Sequence, residues 1–150
     1  MNDTESTNID TRYLTSLNRH LRKRGLGNTV ITIRLPHDGR DTGEVNLYPW
    51  DTTDLAVFAA WLRSLHGPTV TVWAFSDHCE RMVHLMAVGG MDDGTATQVR
   101  VIVQDDEFDL LAANTPLVKD ADVPVELLLR LVSAEVAESR TDDTALAGVL

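Results

Sequence analysis

The chain has 150 residues, 43% of them hydrophobic and 24% charged, with 13 basic against 23 acidic side chains and a formal net charge of −10. Such a length and apolar content suit one globular domain able to build its own core, which excludes disorder throughout. The single cysteine, Cys79, excludes an internal disulfide framework and an all-cysteine zinc site, and the acidic balance excludes a protein that coats nucleic acid with its whole surface.

The charge is unevenly spread. Residues 1–40 hold seven basic groups (Arg12, Arg19, Arg22, Lys23, Arg24, Arg34, Arg40) and four acidic ones, a net +3, whereas residues 41–150 hold six basic and nineteen acidic groups, a net −13. A basic head therefore sits on an acidic body, and pairing of head with body is the default expectation. The first nine residues, MNDTESTNI, lack the basic and apolar regions of a signal peptide, and no apolar run approaches the roughly 18 residues of a membrane span. A cytoplasmic protein is expected, also because a lone thiol suits a reducing compartment.

In chain order, Leu14, Leu17 and Leu21 recur at helical spacing, Asp10 stands where a cap belongs, and Gly25 stops the helix. The alternation of TVITIRL (Thr29 to Leu35) predicts a strand, and the turn formers around Asp38-Gly39 return the chain into EVNLY (Glu44 to Tyr48) as a hairpin partner. Leu55, Phe58, Leu62 and Leu65 define a largely buried helix over 51–65, ended by His66-Gly67-Pro68. Three strands follow, over 69–76, 81–88 and 97–103, joined by short links that fit an antiparallel meander. Asp122 and Pro124 open a last helix over 125–138.

This order, α-β-β-α-β-β-β-α, predicts an α+β domain over 10–138: an antiparallel sheet of about five strands packed with three helices. Residues 1–9 are expected to be a flexible start and 139–150 a mobile tail.

Alternation assigns faces to the meander. Val70, Val72, Ala74, Val83, Leu85, Ala87, Val99, Val101 and Val103 share one parity and form the expected core face. The opposite parity holds Trp73, Phe75, Met82, His84, Met86, Arg100 and Ile102, too apolar for a face left to water. Either the protein's own helices cover it or it meets a partner or a second copy, since Trp, Met and Arg concentrate at interface centres.

Four further features are weighed. His78, Cys79 and His84 are residue types that hold zinc, and a Cys79/His84 pair has the chemistry of an activated thiol, but the spacing matches no zinc signature and a polar hairpin with an ordinary thiol is the expected reading. The run Asp105, Asp106, Glu107, Asp109 lacks the pattern of a calcium loop and reads as a solvated loop that starts a short helix. Asp92-Asp93-Gly94 reads as a turn. Arg12, Arg19, Arg22, Lys23 and Arg24 lie opposite the leucine stripe, where they could meet phosphate or an acidic partner.

The chain carries no dinucleotide fingerprint, no phosphate-binding P-loop and no serine elbow, and no serine or threonine has a recognisable His/Asp context. No cofactor is implied. The expected function is that of a small non-enzymatic binding or protein-interaction module, self-associating through the outer sheet face. The alternatives are a nucleic-acid-associated protein using the basic helix, an acidic DNA mimic, or a metal-binding or hydrolytic protein at His78/Cys79/His84.

Overall fold

Helix α1 spans Asn2–Arg24 in the computed structural model, which describes residues 2–36, 42–47, 54–75 and 81–134. It begins eight residues before Asp10, so Asp10 is internal to the helix and not at its amino end. Its carboxyl end is as expected: Gly25 takes φ +67°, and the Leu26 N–H bonds back to the Leu21 carbonyl at 3.0 Å. A short 3-10 turn, Gly27–Thr29, leads into β1 (Val30–Arg34), which pairs antiparallel with β2 (Gly43–Leu47).

Helix α2 (Asp54–Ser64) follows, then β3 (His66–Phe75), β4 (Met82–Gly90) and β5 (Ala96–Gln104), the expected antiparallel meander. Helix α3 (Asp105–Asn114), a two-residue strand β6 (Asp122–Val123) and a helix α4 over 125–134 complete the described chain.

The protein is α+β, but the sheet differs from the expected one in two ways. It has six strands in the order β1-β2-β5-β4-β3-β6, and it is mixed, because β2 lies parallel to β5. Helix α2 makes this possible: a helical crossover returns the chain past the β1–β2 hairpin, which then docks on the far edge of the meander. The sixth strand is too short for alternation to reveal. Four helices are present among the described residues; the one beyond the expected three is α3, the short helix that the acidic run starts. Its first turn carries Asp105, Asp106 and Glu107, acids at the end where the helix dipole favours them.

All four helices contribute to one hydrophobic cluster, and therefore pack on one face of the sheet. From α1 come Tyr13 and Leu17, from α2 Phe58 and Trp61, from α3 Leu111, and from α4 Leu128, against Val45, Val72, Leu85 and Val101 of the strands. Tyr13 anchors α1 over the sheet: its hydroxyl shares a 2.8 Å hydrogen bond with Thr97, burial pushes its pKa up to about 12, and its ring fills the space where a Cβ at Gly43 would sit. Trp61 Nε1 donates to Thr29 Oγ1 at 2.9 Å, tying α2 to the turn before β1.

A bulge in β3 corrects two face assignments. Val72 pairs with Leu85, but Ala74 pairs with His84 and Phe75 with Val83, so one extra residue enters β3 near Trp73. Side chains directly opposite each other share a face. Ala74 therefore moves to the outer face with His84, and Phe75 to the helix-bearing face with Val83, where it stays 41% exposed.

Candidate functional site: the bare face of the sheet

The face opposite the helices remains open among the described residues. Along β4 and β5 it presents Met82, His84, Met86, Arg100 and Ile102, all half-buried, and Trp73 stands above them at 40% exposure. Five of the expected positions thus join Trp73 on one surface, and Phe75 does not.

Register builds a charged centre beside Trp73. Arg34 of β1 pairs with Glu44 of β2, and Arg100 of β5 lies between Met86 on one side and Asn46 on the other. Glu44, only 5% exposed, receives both cations: Arg100 Nη2 lies 2.9 Å from Oε1 and Arg34 Nη1 3.8 Å from Oε2. The Arg100 guanidinium carbon sits 3.7 Å from the centre of the Trp73 ring, a cation–π contact, while its buried Nε finds no hydrogen-bond partner. The His84 ring lies 6.2 Å from that of Trp73; burial first, then the Arg100 charge, holds its pKa below the usual histidine value.

Arg34, Thr42, Glu44, Trp73, Met86, Gln98 and Arg100 line a cleft of about 410 Å³. Such a surface can accept an apolar side chain on Trp73 and Met86 and satisfy polar groups at its arginine rim. Glu44 and Arg34 escaped the sequence reading. The available signal was their placement at mirrored positions across the hairpin, an acid and a base facing each other.

The metal and thiol expectation cannot be located: His78 and Cys79 lie outside the described residues, and only His84 is placed. Among the described residues no three His, Cys, Asp or Glu side chains group so as to hold a metal ion. The acidic run is split by α3. Glu107 is buried, its Oε1 accepting the Leu55 N–H at 3.3 Å, while Arg81 Nε donates to Asp109 at 3.2 Å and draws that carboxyl below its usual range.

A second constellation was invisible in sequence. His20 Nε2 lies 2.9 Å from Ser64 Oγ, and His20 Nδ1 3.4 Å from Asp92 Oδ2, three residue types in catalytic order drawn from α1, α2 and the β4–β5 link. Its details oppose catalysis. Ser64 Oγ donates to the Trp61 carbonyl at 2.7 Å, and Ser64 and His20 are 5% and 1% exposed, so the hydroxyl is closed off from a substrate. The cluster is a clip that fastens the end of α1 to the rest of the molecule.

Asp92 also collects Arg24 Nη2 at 2.7 Å, with Lys23 Nζ at 3.9 Å and His66 Nε2 at 3.5 Å, and these partners hold its pKa far below the ordinary carboxylate value. Head-to-body pairing therefore exists, at Asp92 for the end of α1 and at Glu44 for Arg34. Arg24 is consumed by it and leaves the proposed basic surface. Comparison of the chain with protein-family models, curated proteins and solved structures finds no match, so geometry and chemistry carry the functional reading.

Proposed function

We propose that the protein is a small binding module that self-associates, with a second copy seated on the bare sheet face. The observation that carries this reading is Trp73, 40% exposed on a face that no helix covers among the described residues, with Arg100 stacked on its ring and Met86 beside it. Tryptophan and arginine dominate interface hot spots, and methionine adapts to an irregular partner.

Two further points favour a second copy as the occupant. Strand spacing and length give this face a footprint of roughly 500–700 Å², close to the ~800 Å² per partner of an ordinary stable interface. Its described charges also cancel, Arg34 and Arg100 against Glu44 and Asp122, on a chain of net charge −10. It is thus a surface on which two acidic copies can meet without local repulsion, and a twofold arrangement offers each arginine a carboxylate from either copy. The single cysteine supports placing this module in the cytoplasm.

Light scattering on a sizing column tests the reading. The full chain at tens of micromolar is expected to run as a dimer, and Met86→Lys, which sets a charge in the centre of the face, as a folded monomer. A monomeric parent chain, or a dimer indifferent to both Met86→Lys and Trp73→Ala, overturns it.

A further inference from the structure

The outer side of α1 is a second surface, independent of the sheet face. From Thr11 to Arg24 the helix carries five cations and no acid. At 100° per residue, Arg12, Thr15, Arg19, Arg22 and Lys23 fall within a stripe roughly 100° wide, opposite Leu14, Leu17 and Leu21. All five stripe residues are exposed, and Arg12, Arg19 and Arg22 form no ion pair with described residues. Thr15, Asn18, Arg19, Arg22 and Lys23 line an open groove of about 590 Å³.

Two nearby carboxylates offset only part of this stripe: Asp92 Oδ2 lies 3.9 Å from Lys23 Nζ, and the Arg19 charge contributes to lowering the Asp93 pKa. Asp92 is engaged by Arg24 on the packed flank of the helix, and Asp93 accepts hydrogen bonds from Ser16 Oγ and the Thr95 N–H, which hold its pKa low.

We propose that this stripe binds the phosphodiester backbone of a nucleic acid, without reading its sequence. Arg12 to Lys23 spans about 16 Å of helix, enough to face three or four phosphates of one strand. Arginine forks match phosphate oxygens bidentately, and Thr15 and Asn18 add hydrogen-bonding groups suited to the backbone. No side chain of the stripe is aromatic, so stacking on bases contributes nothing and the contact is electrostatic.

Fluorescence anisotropy of the full chain with a labelled 20-nucleotide DNA, single- and double-stranded, and with the equivalent RNA, tests this. Binding is expected at 50 mM salt in at least one arm, with log K falling against log salt at a slope of about −2 to −3. Arg19→Glu/Arg22→Glu, with an unchanged circular dichroism spectrum, should weaken binding at least tenfold. No binding in any arm, equal binding by the double variant, or poly-glutamate competing as well as DNA overturns the proposal; the last result assigns the stripe to an acidic protein partner.

Discussion

At the scale of single residues, the buried ionisable groups set how the protein responds to pH. Desolvation holds the His20 pKa below its ordinary value; Asp92 opposes that shift, while Arg24 and His66 add to it. The unfolded chain therefore binds the proton more readily near pH 6.5, and His20 favours the folded state above that value and loses this contribution as pH falls through it. His84 is shifted the same way and adds to the same trend. The carboxyl of Asp92 is likewise held below its ordinary value, by Arg24 first, so its contribution is lost only as pH falls below about 4. Urea midpoints are expected to fall between pH 7.5 and 5.5, less steeply in His20→Gln, and to drop again below pH 4; a flat profile from 7.5 to 5.5 contradicts the assignment. Glu44 is the complementary case. Glu44→Gln keeps the shape but removes the charge that faces Arg34 and Arg100, and a loss of about 1–3 kcal/mol in equilibrium unfolding is expected.

At the scale of elements, the seating of α1 rests on one close approach. Tyr13 lies over Gly43 at the start of β2, with its hydroxyl bonded to Thr97 of β5, so a methyl group at position 43 must displace the ring. Gly43→Ala is expected to destabilise the fold by about 1–3 kcal/mol, as overpacking does elsewhere, and Gly27→Ala, with open space around its Cβ position, to have little effect. Thermal unfolding of the two variants side by side checks this. The same elements show what was legible in the sequence. Periodicity located β1 to β5, α1 and α2, because apolar residues repeat along each with its own period, even in β1, whose side chains stay largely exposed at the edge of the sheet. It could not show that β2 runs beside β5, since nothing local encodes a pairing between residues 45 and 99. It placed Trp73, Met82, His84, Met86, Arg100 and Ile102 on one surface, but the bulge near Trp73 broke strict alternation and carried Phe75 away. The His20, Ser64 and Asp92 clip was hidden for the same reason as the sheet order: its members are separated by whole elements and meet only through packing.

At the scale of the whole molecule, the charge that first excluded a globally basic binder makes the two proposed surfaces respond oppositely to salt. Bringing together two chains of net charge −10 doubles the charge on one particle. The sheet faces themselves are balanced among the described residues, so the repulsion comes from acids elsewhere, several ångströms and more from the contact. Added salt screens those distant charges while leaving the apolar contact around Trp73 and Met86 intact, because the Debye length shrinks from about 30 Å at 0.01 M to about 8 Å at 0.15 M. Self-association is therefore expected to tighten several-fold between 20 and 300 mM sodium chloride. Phosphate binding at Arg12, Arg19, Arg22 and Lys23 must weaken over the same range, because counterions released on binding become harder to release as salt rises. Sedimentation equilibrium across that series, run beside the anisotropy titration, separates the two surfaces without any substitution. A dimer that dissociates as salt rises would mean that ion pairs, and not the bare face around Trp73, hold the copies together.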